Sequence, residues 1–231
     1  MASTKRKKRP HIPADLATIE GRHRAHSELI WGDHGFLRFR FSNLHQVSDE
    51  LWRSNQPSPI QIHGHAENRG IKTVVNLRGE STKGYYLLEK EACTSAGISL
   101  IDHQVFSRDT PTRDAILGTR DIFESIQYPA LIHCKSGADR AGLVSCLYKI
   151  FRLGSSVQDA IEQLSSRYLH IKQGKTGVLD AFFEAALRAD ANTPDAFLSW
   201  VLEDYERVSV KADFLRDRGR TLELDRLLGR E

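Results

Sequence analysis

His133-Cys134-Lys135-Ser136-Gly137-Ala138-Asp139-Arg140-Ala141-Gly142 follows directly on the apolar run Pro129-Ala130-Leu131-Ile132. Leu143, Val144, Leu147, Ile150 and Phe151 then recur at helical spacing. The pattern reads as a short buried strand, a tight loop and a helix with one buried face. Such a loop turns several backbone N–H groups into one concavity at the positive end of a helix, a nest for an anion. Gly137 lets the loop curl with no side chain in the pocket. Arg140, six positions after the cysteine, can fork onto two phosphate oxygens, which a lysine could not reproduce. Dipoles around Cys134 favour its anion, placing a thiolate ~3 Å beneath a bound phosphorus for in-line attack.

Blander readings of the same stretch are weaker. A buried core thiol needs neither the interior glycine nor the spaced arginine. Metal binding is not expected, because His133 and Cys134 are adjacent and no second ligand pair has useful spacing. The Gly-Lys-Ser/Thr of a nucleotide-binding loop is absent. No cofactor is implied.

Outward from the loop, strands and helices alternate. Phe36 to Leu51 is compatible with a hairpin or edge strands carrying Leu37, Phe39 and Phe41. Leu51-Trp52-Arg53-Ser54 reads as a strand, and Gln56-Pro57-Ser58-Pro59 as a turn opening a short helix. Thr73 to Leu77 is a β-branched run, a buried strand ending at Arg78-Gly79. Tyr85 to Ala96 is helix-like and closed by Gly97, and Ile98 to Ile101 is another strand. Thr110 as cap and Pro111 at the first helical position start the next helix. After the loop helix, Ser156 starts a helix holding Val157, Ile161 and Leu164. Thr176 starts another with Leu179, Phe182, Phe183 and Leu187. Thr193-Pro194 starts a third with Phe197, Leu198, Val201, Leu202 and Tyr205. This order predicts an α/β, three-layer sandwich: a central, mostly parallel sheet flanked by helices, with extra helices at the C-terminal end.

The 231 residues are enough for a substantial core, and 40% apolar with 27% charged residues is the balance of a globular chain rather than a membrane-embedded or disordered one. No apolar stretch reaches the length of a membrane span, and the N-terminal residues lack the apolar segment of a signal peptide. Three cysteines, Cys93, Cys134 and Cys146, are an odd number at irregular spacing, so a disulfide framework is not expected. A redox pairing of Cys134 with Cys93 or Cys146 stays open. A reducing cytoplasm is the compartment expected, where a reactive thiolate survives. The net charge of +3 comes from Lys5, Arg6, Lys7, Lys8 and Arg9; the remainder is slightly acidic. That run suits weak contact with an anionic surface or a nuclear address, and a solvated leader is the plainer reading. Nucleic acid is not an expected partner.

The loop resembles the signature of the cysteine-dependent protein tyrosine phosphatase superfamily: His-Cys, five residues, Arg. On that resemblance Cys134 is the nucleophile, Arg140 the phosphate clamp, and Lys135, Ser136, Gly137, Ala138 and Asp139 the cradle. The central position of the cysteine argues against the low-molecular-weight branch. The chain is similar to the compact dual-specificity branch, including atypical bacterial and fungal members, over roughly residues 50–170. Asn76-Leu77-Arg78-Gly79 also fits that group. The implied domain plan is a basic disordered leader (1–25), a phosphatase domain (26–190) and a C-terminal helical extension (191–231).

The resemblance also implies an acid for the leaving oxygen, from a loop between a strand and the helix before the cysteine strand. Asp109 occupies that place. Asp102, at the strand end, and Asp139, directly before the arginine, are the alternatives; Asp139 could instead orient Arg140 or cap the helix. Arg78 is a candidate substrate contact at the pocket mouth, or else a salt-bridge partner. His133 is expected to order the loop rather than to carry protons. Two departures stand out. Ala141 replaces the Ser or Thr that usually follows the arginine and assists departure of the sulfur. Lys135 is a feature of the lipid-phosphatase branch, but its second loop lysine is missing and Asp139 opposes highly charged ligands.

Three functions are compatible with these residues. The leading one is a tyrosine or dual-specificity protein phosphatase working without metal through a phosphocysteine on a phosphorylated protein or small phosphomonoester. The others are a phosphoinositide or inositol-phosphate phosphatase, and a non-catalytic phosphate-binding module.

Overall fold

The computed structural model describes residues 12–38 and 40–227. In chain order its elements are α1 (Ile19–Ser27), α2 (Gly35–Arg38), β1 (His45–Gln46), β2 (Leu51–Ser54), α3 (Pro59–Arg69), β3 (Thr73–Asn76), α4 (Gly84–Ser95) and β4 (Ser99–Asp102). There follow α5 (Arg113–Ser125), β5 (Ala130–His133), α6 (Asp139–Phe151), α7 (Val157–Ala160), α8 (Val178–Arg188), α9 (Pro194–Glu203) and α10 (Arg207–Leu227).

The strands form one sheet in the order β1-β2-β5-β3-β4, parallel except for β1. β3 and β5 are buried at every position, which is why each reads as a continuous run rather than an alternation. Asn76 pairs with both His133 and Asp102. Three strands therefore end level, and the loops after them leave the sheet at one edge, where ligands bind in open parallel sheets.

Helices cover both faces, giving the expected three layers. Ile62 of α3 and Ala92 and Cys93 of α4 pack with Val74 and Leu131 on one side. On the other, Leu143, Val144, Leu147 and Ile150 of α6 lie between the sheet and Phe182, Phe183, Phe197, Trp200 and Tyr205. Phe182 has ring contacts to Phe183, Phe197, Trp200 and Tyr205. Residues on either side of the expected boundary at 190 thus share one core, and α9 is continuous with the domain. Among the described residues no helix is long and apolar enough to cross a membrane.

Local chemistry sets the helix ends. Ser58 and Gln61 form a capping box with Pro59 at the first turn, and Gly70 closes α3 at φ +61°. Thr193 caps α9 ahead of Pro194. Four expectations are corrected. Helix α5 starts at Arg113 with Thr112 as cap, because Thr110 and Pro111 are drawn to the C-terminal helices: Thr110 Oγ1 donates to the Arg207 carbonyl and the Pro111 carbonyl accepts from Tyr205 Oη. The helix from Ser156 gives way to a 3₁₀ turn at Ile161–Gln163, where the Gln163 carbonyl accepts from Arg53. Gly35–Arg38 form the helical turn α2, Leu37 and Phe41 are exposed, and strand pairing begins only at His45; Phe39 lies outside the described residues.

The fourth correction concerns the leader. Residues 1–11, with the basic run, lie outside the described residues, but Thr18 caps α1. That helix buries only Gly21 and Ala25, so it shows no apolar period. Ala25 and Leu29 pack with Leu88 of α4, and Gly84 admits the close approach: a Cβ there would lie 2.4 Å from the Ala25 carbonyl oxygen.

Candidate active site

Cys134 leaves β5 into the loop and is 1% exposed. The Gly137 N–H donates to its Sγ at 3.2 Å. Gly137 has φ +74°, and a Cβ on it would stand 2.7 Å from Asn55 N and the Ser54 carbonyl carbon. Glycine is therefore required twice, by conformation and by backbone approach.

Four successive loop carbonyls are held from outside the pocket. The Lys135 carbonyl accepts from Gln56 N (3.4 Å) and the Ser136 carbonyl from Asn43 Nδ2 (2.9 Å). The Gly137 and Ala138 carbonyls accept from Arg53 Nη2 at 2.9 and 2.8 Å. With the carbonyls so engaged, the alternating amides are free to face an anion. Arg53 is fully buried, bonds Gln163 through Nη1 and stacks on Tyr168 with Cζ 4.1 Å from the ring centroid. Burial lowers its pKa to about 10, against the attraction of Cys146 and Cys134, so it is a cation beneath the loop at neutral pH.

Arg140 stands in the first turn of α6, its Nη1 3.5 Å from the Leu77 carbonyl. Val105 N donates to the same carbonyl at 3.3 Å, so the loop carrying Asp109 starts beside Arg140. Ala141 is fully buried. Asp139 is tied to His170: its Oδ1 accepts from Nδ1 at 2.8 Å, while Nε2 donates to Asp180 Oδ2 at 2.7 Å. Both partners are carboxylates, acceptors only, so the ring carries both protons. Burial would lower the His170 pKa, but the two carboxylates raise it to about 9.

A second polar chain joins the motif to the N-terminal segment. His133 Nε2 lies 2.5 Å from Glu89 Oε1, both buried, and Gln56 Nε2 donates to Glu89 Oε2 (2.9 Å). Arg78 donates to Gln56 Oε1 (2.7 Å) and to both Asp33 oxygens (2.8 Å), and covers the Tyr85 ring at 3.7 Å. Asp33 also meets Arg38 at 2.8 Å and Lys135 at 3.6 Å. Burial would raise the Asp33 pKa, but Arg78, Arg38 and Lys135 hold it below the ordinary value. The structure thus brings Arg78 to Asp33, the salt-bridge alternative of the sequence, rather than leaving it free.

Asp102 accepts from Asn76 Nδ2 (2.7 Å) and Tyr86 Oη (2.6 Å), which fixes the β4 end. Asp109 meets Arg207 Nη2 at 2.5 Å and Lys211 Nζ at 3.0 Å. Burial would raise its pKa, but Lys211 and Arg207 bring it below the usual carboxylate value. Cys93 and Cys146 are buried and all three cysteines are free. Burial pushes the Cys93 thiol up to about 12 and raises that of Cys146, so neither is a rival nucleophile. Among the described residues no cluster of His, Cys, Asp and Glu could hold a metal.

Arg53, Glu89, His170, Asp180 and Asp33 escaped the sequence reading. Three carried a signal. Asp180 is buried among Val178, Leu179, Phe182 and Phe183 of α8, and Glu89 among Tyr86, Leu88, Ala92 and Cys93 of α4. Arg53 is a charge inside a buried strand. Charges on apolar faces demand partners. Asp33 and His170 lie in irregular segments and carry no such mark.

A family model described as "DSP-PTPase phosphatase fused to NAD+ Kinase" matches residues 42–180. No curated protein matches the chain. Similar solved structures include TpbA of P. aeruginosa, at 20% identity and TM-score 0.49 over 63% of this chain and 85% of that one. A putative phosphatase from Shewanella putrefaciens is 19% identical with TM-score 0.49, over 66% of this chain and 97% of its own. Tk-PTP in its active form is 21% identical with TM-score 0.49, over 62% and 98%.

Proposed function

This chain belongs to the family of DSP-PTPase phosphatases fused to NAD+ kinase, and from that premise we propose that Cys134 carries its phosphoryl transfer. The observation that supports this most is the outward engagement of the carbonyls of residues 135–138 around a sulfur that already accepts from Gly137. Arg140 forks onto two phosphate oxygens. Sγ attacks phosphorus, the P–O bond breaks, and the leaving oxygen takes a proton from Asp109. Water then attacks the phosphocysteine, giving its proton to Asp109, and sulfur departs as the thiolate. A reducing, cytoplasmic compartment suits that thiolate.

A phosphorylated protein is the substrate class we favour over a polyphosphorylated inositol. Asp33 offsets one of the three positive charges of Arg38, Arg78 and Lys135, and with no second loop lysine the mouth is less cationic than a polyphosphorylated ligand calls for. The test is a panel of phosphotyrosine and phosphoserine peptides beside inositol phosphates, with Cys134→Ser in parallel. Peptide turnover that vanishes in Cys134→Ser, with phosphopeptide binding retained, is expected. Preferred turnover of inositol phosphates overturns the substrate reading. Binding without turnover of anything overturns catalysis in favour of an interaction module.

A further inference from the structure

The C-terminal end of the loop holding Asp109, and the start of α5 after it, are fastened to the C-terminal helices. Arg207 Nε donates to the Thr110 carbonyl (2.8 Å) and Thr110 Oγ1 to the Arg207 carbonyl (3.2 Å). Tyr205 Oη donates to the Pro111 carbonyl (2.7 Å), and Arg113 reaches the carbonyls of Val201 (2.7 Å) and Tyr205 (3.1 Å). At the far end of this seam the carboxylate itself is gripped by Arg207 and Lys211, which at i and i+4 share one face of α10. The first turn of a 21-residue helix adds its positive dipole end. Arg207 and Lys211 lie beyond the residues that the family model matches, 42–180.

We propose that Arg207 and Lys211 are positioning residues of the phosphatase reaction: they hold the Asp109 carboxylate on α10 and so restrain proton donation to the leaving oxygen. The inference rests on Asp109 being the acid. A donor must be protonated when the P–O bond breaks, and two cations beside a carboxylate favour the form without the proton. The titratable groups facing Asp109 are Arg207 and Lys211 from α10 and Tyr205 from the turn before it. The restraint falls on substrates whose oxygen needs the proton. A phenol acidic enough to leave as its anion escapes it.

The experiment compares kcat/KM against pH for phenyl phosphate and 2,4-dinitrophenyl phosphate, because kcat/KM reports the step that cleaves P–O. Lys211→Ala is the first variant: its ammonium is half exposed and meets the loop at Asp109. Removing it lets the Asp109 pKa rise, so the basic limb for phenyl phosphate moves to higher pH. Phenyl phosphate cleavage at neutral pH then rises several-fold relative to the dinitrophenyl ester. Lys211→Glu strengthens the effect and Lys211→Arg restores the original profile. An unchanged ratio and limb in both Lys211→Ala and Lys211→Glu, or an equal fall for both esters with an intact melting curve, overturns the proposal. Asp109→Asn separates this from the underlying reading. If that variant loses phenyl phosphate cleavage selectively while the Lys211 variants are silent, Asp109 is the acid and α10 does not restrain it. If Asp109→Asn spares both esters equally, the acid assignment itself falls.

Discussion

His170 donates to Asp139 at 2.8 Å, one residue before Arg140, and its other nitrogen donates to the buried Asp180. A single imidazolium therefore ties the first turn of α6 to α8. The arrangement fixes the Asp139 carboxylate away from free rotation, and the ring's positive charge, shared with Asp180, offsets part of its negative charge.

That bridge gives stability a pH dependence. His170 in the folded chain keeps its proton up to about 9, above the ordinary 6.5. Folding thus favours proton uptake between those values; the stabilisation is fully present below the unfolded value and is lost as pH rises through about 9. The melting temperature should decline across that window. His170→Gln should melt lower than the parent at pH 6.5, with the gap narrowing toward the basic end. Parallel melting curves for the two proteins at all pH values would exclude the bridge as the source.

Arg53 should be irreplaceable by lysine. Its guanidinium serves the carbonyls of Gly137, Ala138 and Gln163 while lying on Tyr168, a fork that a single ammonium cannot reproduce. Each buried carbonyl left without a donor costs about 1–3 kcal/mol. Arg53→Lys is expected to lose about ten-fold or more in kcat/KM, about 1.4 kcal/mol, along with vanadate affinity. Unaltered kinetics would mean the loop keeps its shape without this support.

Gly137 and Gly70 make a controlled comparison. Both have positive φ, +74° and +61°, but a Cβ at Gly70 meets nothing within 4 Å whereas one at Gly137 collides with the backbone of Ser54 and Asn55. Gly70→Ala should cost about 1 kcal/mol of stability and leave turnover intact. Gly137→Ala should abolish turnover and vanadate binding while the circular dichroism of the fold persists. Comparable activity in the two variants would refute the role given to the close approach.

The strand before the cysteine, the loop and the helix behind it were legible because they are written in local patterns: a continuous apolar strand, a glycine where φ is positive, a 3.6-residue stripe. α1 was not, because its packing face consists of Gly21 and Ala25, which mark closeness rather than hydrophobicity. The start of α5 shifted because Thr110 and Pro111 bond to residues nearly a hundred positions away. The same limit applies to the site. Cys134, Gly137 and Arg140 are close in sequence, whereas Arg53, Glu89 and Asp180 reach the loop by tertiary contact and advertised only that a charge lay on an apolar face.

Ala141 should make the second half-reaction the slow one. It is fully buried in the same apolar cluster as Cys134, and the hydrogen bond on Sγ comes from the Gly137 N–H. Alanine offers no hydroxyl to the departing sulfur, so the P–S bond breaks with less stabilisation of the developing thiolate. Phosphorylation of Cys134 should then outrun its hydrolysis, giving a burst of product near one equivalent of enzyme with dinitrophenyl phosphate. Ala141→Ser places a hydroxyl at that position. A hydrogen bond to a charged group contributes about 1.5–3 kcal/mol, so the steady-state rate should rise by roughly ten-fold or more and the burst should shrink. kcat/KM, which ends at cleavage of the P–O bond, should change little. A parent enzyme without a burst, or a serine variant with no gain in kcat, would show that hydrolysis was never limited by the sulfur's departure.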